Sequence, residues 1–140
     1  MNLKTFFILL ISTCFIFSSC KKDAGQGGDS FIRGKVYAYY YNKTLTAKLD
    51  SAFAPNVTVY IIYGNGVTFS DDQKTNYDGS YEFKYLKKGD YKIYAYSRDS
   101  TGASIGSVNT FSPDIAVIKN VTISKKKQTV EAPLITILKD

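Results

Sequence analysis

Residues 75–97 read TNYDGSYEFKYLKKGDYKIYAYS, and this stretch decides the fold class. From Tyr81 to Tyr85 aromatic and charged residues alternate, which is the two-residue period of a half-buried strand. Lys87–Asp90 interrupts the pattern, and a second alternating run follows from Tyr91 to Ser97. Asp78-Gly79 is the dipeptide of a tight hairpin turn, because glycine accepts the positive φ that such a turn requires. The stretch therefore predicts two strands of an all-β protein.

Further alternating runs lie on both sides of this stretch and predict the remaining strands. Asn42–Asn56 is polar and predicts a long loop with a helical turn near Leu45–Leu49, while Val67–Asn76 predicts a short edge strand or loop. A change of pattern at Lys119-Asn120 predicts a bulge, and Pro133 predicts an edge strand or a bulge, because proline cannot donate to a sheet. The runs are Phe31–Tyr41, Val57–Tyr63, Ala103–Phe111 (a weak one), Ile115–Ser124 and Thr129–Leu138.

The order of turn and core residues resembles the carboxypeptidase regulatory-like domains, which are small β-sandwiches of the transthyretin (prealbumin) type. The resemblance covers residues 31–138 and implies an all-β, Greek-key sandwich of seven or eight strands, with the domain at 31–140. Because the motif consists of turn and core residues, it indicates a fold and almost no chemistry. The matching residues are Thr75, Asp78, Gly79, Tyr81, Phe83, Leu86, Gly89, Tyr91 and Ile93, with Gly34-Lys35-Val36 and Pro55-x-Val57-x-Val59 upstream.

The N-terminus predicts export and a lipid anchor. Residues 1–19 contain Lys4 and then an apolar run from Thr5 to Phe17, as in a secretory signal. Ser18-Ser19-Cys20 resembles the lipobox of bacterial lipoproteins of the Bacteroidetes type, which makes Cys20 the acylated residue. An ordinary cleaved signal followed by a chance cysteine is the alternative. Residues 20–30 are rich in glycine and predict a flexible tether. We expect an outer-membrane lipoprotein, on the periplasmic or the surface face.

Composition argues against most catalytic chemistry. The chain has no histidine, and Cys14 lies inside the signal, so Cys20 is the single cysteine of the exported part. We therefore expect no catalytic residue, no metal site and no cofactor, and we interpret Asp71, Asp72 and Asp78 as turn residues. The net charge is +6, but the lysines are scattered apart from Lys125-Lys126-Lys127. A nucleic-acid partner is not expected for such an exported chain.

The tyrosines are the one unusual feature, since all twelve lie between Tyr37 and Tyr96. Alternation places Tyr81, Tyr85 and Tyr91 in the core. Outward tyrosines can bind a glycan or a protein, but tyrosine is also a strong strand former, so binding and purely structural roles stay open. The resemblance implies one patch on one sheet and a second group on the opposite sheet. The candidate binding surface comprises Tyr60, Ile62, Tyr94 and Tyr96 in the patch, and Tyr37, Tyr39 and Tyr41 opposite.

Two short motifs, Asp50-Ser51-Ala52 and Asp99-Ser100-Thr101, resemble O-glycosylation acceptors of Bacteroidetes-type bacteria. Both fall in predicted loops, which makes Ser51 and Ser100 candidate acceptors. The leading interpretation is a non-catalytic cell-envelope lipoprotein whose β-sandwich is a binding or structural module. Its partner would be a glycan or a protein, and the lipid on Cys20 would anchor it to the membrane. The alternative is an accessory or assembly subunit of an outer-membrane uptake or secretion complex.

Overall fold

The computed structural model describes residues 23–100 and 113–140, which form nine strands in two sheets and include no α-helix. The all-β sandwich is confirmed, with more strands in this part of the chain than the seven or eight predicted. No helix in these two ranges is long and apolar enough to cross a membrane. The strands are β1 (Gln26–Tyr41), β2 (Lys48–Phe53), β3 (Thr58–Tyr63), β4 (Asp71–Lys74), β5 (Ser80–Leu86), β6 (Gly89–Arg98), β7 (Asp114–Ile123), β8 (Thr129–Glu131) and β9 (Ile135–Lys139).

The first sheet is built along β1, which spans sixteen residues. On one side β5 pairs antiparallel with the first half of β1 and β2 with the second half. On the other side β8 and β9 pair parallel with β1, one after the other. Pro133 lies in the gap between β8 and β9, where its missing N–H interrupts no ladder.

The second sheet has the order β4-β3-β6-β7, and all its pairs are antiparallel. The polar segment Val67–Asn76 forms its short edge strand β4, as the sequence predicts. The bulge predicted at Lys119-Asn120 is wrong, because β7 follows β6 through ten consecutive pairs without a register shift. Lys119 simply occupies an inward-phase position between Val117 and Val121, which is tolerated because this outer strand leaves the position partly exposed.

The core lies between the inward faces of the two sheets. The prediction that Tyr85 lies in the core is wrong, because this residue has a φ of 58° and is 65% exposed. The register of β1 against β5 shifts there, so that Leu86 takes the inward position in its place. The predicted inward residues that are buried include Ile32, Val36, Ala38, Val57, Val59, Ile61, Tyr81, Phe83, Tyr91, Ile93, Val121 and Ile123.

Two connections differ from the predictions. Asp78-Gly79 does not close a hairpin, because β4 and β5 lie in different sheets and the turn carries the chain across the sandwich. Asn42–Asn56 is not one long loop, since it contains β2, which forms a hairpin with β1. The side chain of Asn42 accepts hydrogen bonds from the N–H groups of Thr46 and Ala47 and so shapes that hairpin turn. β2 pairs through its backbone at the sheet edge, where an apolar alternation is not required.

The predicted tether at 20–30 is in part structured, since β1 begins at Gln26. The Gly25 N–H donates to the Tyr91 hydroxyl at 3.1 Å, and the Gly25 carbonyl accepts from the Lys87 N–H at 2.8 Å. A Cβ on Gly28 would lie 2.0 Å from the Leu86 carbonyl oxygen, so glycine here permits close backbone packing. All described strands and core residues lie after Asp23, so a chain starting at Lys21 contains each of them. The weak strand predicted at 103–111 lies outside the described residues.

Candidate functional site

Outward residues of the second sheet form a continuous row across its strands. Tyr60 on β3 lies opposite Tyr94 on β6, and Tyr94 in turn lies opposite Ile118 on β7. On the other side of β3, Tyr60 lies opposite Asp72 of β4. The adjacent strands that the resemblance implied therefore do place Tyr60 and Tyr94 side by side.

Four rings pack together at this place, and we call Tyr60, Phe69, Tyr94 and Tyr96 the aromatic face. Tyr60 and Tyr94 stack with centroids 5.0 Å apart and an interplanar angle of 17°. Tyr96 meets both of these rings edge-on, at 5.6 Å each. Phe69 contacts the Tyr60 ring at 5.2 Å from the β3–β4 connection. Such offset and edge-on pairs each add roughly 0.5–1.5 kcal/mol beyond burial.

The four rings are unequally accessible. Tyr94 is only 8% exposed, whereas Tyr96 is 47% and Phe69 is 52% exposed. Burial raises the pKa of the Tyr94 phenol, and the nearby Tyr96 and Tyr60 raise it further. Tyr94 is thus the buried ring against which the others pack, and Tyr96 and Phe69 provide the accessible apolar surface. Sequence alternation missed Phe69, because it lies in a connection where no strand period applies.

The aliphatic neighbours of the aromatic face also differ. Ile62 is 8% exposed, and a Cβ on Gly66 would lie 3.0 Å from its Cγ2 atom, so the β3–β4 connection packs against it. Ile118 is 51% exposed in the same row as Tyr94. The accessible apolar surface therefore extends towards β7 rather than towards Ile62.

The remaining candidate tyrosines belong to the first sheet and form a separate group. The Tyr37 ring meets Tyr39 edge-on at 5.5 Å and Phe53 at 5.3 Å. The ammonium groups of Lys48 and Lys35 lie 4.8 Å from the ring centroids of Tyr39 and Phe53, respectively. Tyr41 pairs with Lys48 at the end of β1 and is half-buried. Lysine side chains thus contact the rings of this group.

The candidate modification sites lie in unequal settings. Ser51 lies within β2 opposite Tyr39, so its predicted loop position is wrong; the backbone pairing of β2 puts it in a strand. Ser100 is exposed and follows Asp99, which is fully buried. Cys20 lies outside the described residues. Asp71 and Asp72 lie in β4, so their interpretation as turn residues is wrong; backbone pairing with β3 puts them in a strand. The Asp71 carboxylate accepts a hydrogen bond from the Gln26 side chain. Asp78 does lie in a turn, where it accepts from the Ser80 hydroxyl at 2.6 Å. Within the described residues no acidic, histidine or cysteine cluster of three or more is arranged to hold a metal ion.

One further polar surface lies along β1, β5 and β8 of the first sheet. A cavity of about 310 Å³ is lined by Arg33, Lys35, Tyr81, Glu82 and Glu131, among others. The Tyr81 hydroxyl is buried there without a hydrogen-bond partner, and burial followed by the Glu131 charge raises its pKa. Arg33 and Glu82 form an ion pair at its rim. The Tyr81 ring lies so close to Gly34 that a Cβ at that position would be 2.3 Å from the hydroxyl oxygen.

The comparisons with known proteins are sparse. No protein-family model matches the chain, and no curated protein sequence matches it either. One solved structure that resembles it is a Pseudomonas aeruginosa protein provisionally described as carbohydrate binding. That protein is 16% identical with a TM-score of 0.48, and the likeness covers 82% of this chain and 91% of the other. A likeness of this degree transfers no function.

Proposed function

We propose that this chain is a non-catalytic lipoprotein of the cell envelope whose β-sandwich binds a partner through the aromatic face. The proposal keeps the resemblance to the carboxypeptidase regulatory-like domains and the outer-membrane anchor at Cys20. The observation that carries it is the exposure of Tyr96 and Phe69, which pack against the stacked rings of Tyr60 and Tyr94. Exposed apolar surface of this kind is typical of interaction sites.

The geometry supports a rigid contact surface. The exposed Tyr96 ring packs edge-on against both Tyr60 and Tyr94, so it already has a fixed position before a partner arrives. A pre-ordered aromatic side chain loses little conformational entropy on binding, which favours affinity. The chain has no histidine, which supports a role without acid–base catalysis of the usual kind.

A specific observation favours the second candidate, an accessory or assembly subunit of an outer-membrane uptake or secretion complex. Ile118 is 51% exposed beside Tyr94, and an aliphatic side chain offers no stacking surface to a sugar ring. The fully buried centre of a protein interface, in contrast, is more apolar than the surrounding surface and is depleted of charged residues. A protein partner is therefore the form of binding that the whole accessible surface fits best, and a glycan is the alternative.

The test compares two double variants of the full chain in its own cells. Phe69→Ser with Tyr96→Ser removes the accessible rings of the aromatic face. Tyr77→Ser with Tyr85→Ser removes two exposed rings elsewhere, which are 98% and 65% exposed. A photo-crosslinking residue at position 118 reports a protein partner, and retention on immobilised envelope polysaccharide reports a glycan.

We expect the first variant to lose one of these signals and the second variant to keep it. Both variants should remain folded, since the substituted rings are exposed. If neither signal exists in the unchanged protein, or if the two variants lose it equally, the binding role of the aromatic face is wrong.

The anchor requires its own test. Replacing Cys20 with Ala should abolish incorporation of labelled palmitate and move the protein from the membrane fraction to the soluble fraction. Unchanged labelling and membrane retention would overturn the lipoprotein assignment without affecting the test of the aromatic face.

A further inference from the structure

At one end of the sandwich, two connections that carry lysines lie beside the start of β1. Here β5 ends and β6 begins, with Lys87 and Lys88 between them. At the same end β7 stops, and residues 124–128 lead into β8 and carry Lys125, Lys126 and Lys127. The pairing of Gly89 with Ile123 and of Phe31 with Thr129 places these two turns beside each other and beside β1.

Hydrogen bonds attach both turns to the N-terminal residues of the domain. The Lys87 N–H donates to the Gly25 carbonyl at 2.8 Å. The Lys127 N–H donates to the Asp29 carboxylate at 3.1 Å, and the Ser30 hydroxyl donates to the Lys125 carbonyl at 3.3 Å. The lysine turns are therefore fixed in position next to the point where the chain arrives from Cys20.

The charges at this end are unevenly placed. All five lysines are exposed, and they lie in the β5–β6 and β7–β8 connections. Four acidic residues are nearby, namely Asp23, Asp29, Asp71 and Asp90, and Asp71 accepts a hydrogen bond from the Gln26 side chain at the start of β1. The Asp29 carboxylate accepts from the Lys127 N–H, and the Asp90 carboxylate accepts from the Thr122 hydroxyl at 2.7 Å on the strands behind the turns. We call Lys87, Lys88 and Lys125–Lys127 the basic end.

We propose that the basic end is a membrane-facing surface that binds the headgroups of anionic phospholipids. The inference rests on the proposed anchor in one respect, the distance to the bilayer. Only four residue steps separate Cys20 from Ala24, so the extended chain reaches at most about 14 Å. This reach is an upper limit, and any less extended connection brings the basic end closer to the bilayer, towards the distance of about 8 Å over which charges interact in physiological salt. The positive charge of the basic end and the short connection to Cys20 thus both indicate anionic phospholipid headgroups as the ligand.

The basic end and the aromatic face then have separate roles. Lipid contact at the basic end restricts the tilt of the sandwich on its short connection. The aromatic face lies on the side of the second sheet, so it stays accessible beside the membrane surface. This arrangement presents Tyr96 and Ile118 to a partner in the envelope in a defined orientation.

The test uses the chain from Lys21 to Asp140, which contains every described strand and lacks Cys20, so its result does not depend on acylation. Sedimentation at low salt measures binding to vesicles of phosphatidylglycerol and phosphatidylethanolamine, with pure phosphatidylcholine as the neutral surface. One variant replaces Lys125, Lys126 and Lys127 with Gln, and a second replaces Lys87 and Lys88. The control variant replaces Lys43, Lys48 and Lys74 with Gln, which removes the same charge away from the basic end.

We expect binding to the anionic vesicles alone, which weakens as salt is added. Each lysine near an anionic surface strengthens binding about fivefold, so the loss of three should weaken it by up to about a hundredfold. The nearby aspartates reduce this effect, and a loss of at least about tenfold is expected. The second variant should lose about two thirds as much on a logarithmic scale, because it removes two lysines instead of three. The control should bind almost as the unchanged chain does.

Three results would overturn the proposal. The first is absence of binding to the anionic vesicles, and the second is an equal loss in the control variant. The third is displacement by inorganic phosphate that exceeds displacement by chloride at the same ionic strength, because it would indicate a discrete phosphate site. None of these results touches the palmitate test of Cys20, so failure of the anchor and failure of the basic end can be told apart.

Discussion

The hydroxyl of Thr75 makes the most sharply testable contribution to the fold. It accepts a hydrogen bond from the Val57 N–H at 2.9 Å and donates one to the Ala54 carbonyl at 2.6 Å, while Thr75 itself is 5% exposed. The hydroxyl therefore joins the start of the connection out of β4 to the connection between β2 and β3. Replacing Thr75 with Val keeps the side-chain shape and removes both hydrogen bonds.

The expected cost follows from these two contacts. A buried N–H or carbonyl left without a partner costs about 1–3 kcal/mol. Thr75→Val should therefore lower the free energy of unfolding by about 2–4 kcal/mol. Thr75→Ser is the matched control, since it keeps the hydroxyl and removes one methyl group, which costs about 1 kcal/mol.

Urea unfolding of the chain from Lys21 to Asp140, followed by far-UV circular dichroism, measures both variants. A lower midpoint with an unchanged m-value would report a true loss of stability rather than a change in the unfolded chain. If Thr75→Val is no less stable than Thr75→Ser, the hydroxyl does not hold the two connections together, and the reasoning is refuted.

Two further predictions concern a misassigned core residue and an exposed carboxylate. Tyr85→Ala should cost less than about 1 kcal/mol and Tyr91→Ala about 3–5 kcal/mol in the same urea assay, because Tyr91 is 1% exposed and Tyr85 is 65% exposed; equal costs would contradict the observed register. Asp78 has a pKa lowered to about 2, by the Ser80 hydroxyl first and then by Lys35, so its stabilisation is complete above about pH 4 and is lost as the pH falls towards 2. In a carboxyl NMR titration Ser80→Ala should raise that pKa more than Lys35→Gln does, and the opposite order would disprove the assignment of its main cause.

Much of the strand content and its inward faces could be predicted from the sequence. The inward positions Ile32, Val36 and Ala38 follow from the two-residue period alone, because successive side chains of any strand point to opposite faces. Tyr85 escaped this rule, since a shift in register with a positive φ breaks the period locally. β2 escaped it too, because a strand held by backbone pairing at an edge needs no apolar pattern.

For the candidate site, too, the sequence identified some of the residues and missed others. Alternation identified Tyr60, Tyr94 and Tyr96 as outward residues, and the resemblance supplied their adjacency. Neither the alternation nor the resemblance could identify Phe69, because it contacts the Tyr60 ring from the β3–β4 connection. Neither could predict the burial of Tyr94, which depends on the neighbouring rings.

By itself, the sequence determined most of the strands and, within them, most of the side chains that face inward, because the alternation is a property of the local backbone. Only the tertiary structure decided that β5 pairs with β1 rather than with its chain neighbours β4 and β6, and that Gly27 and Gly28 pack against Leu86 and Lys87 where β5 ends. Strand partners are selected by burial summed over both sheets at once. That sum depends on residues far apart in the chain, so no local pattern contains it.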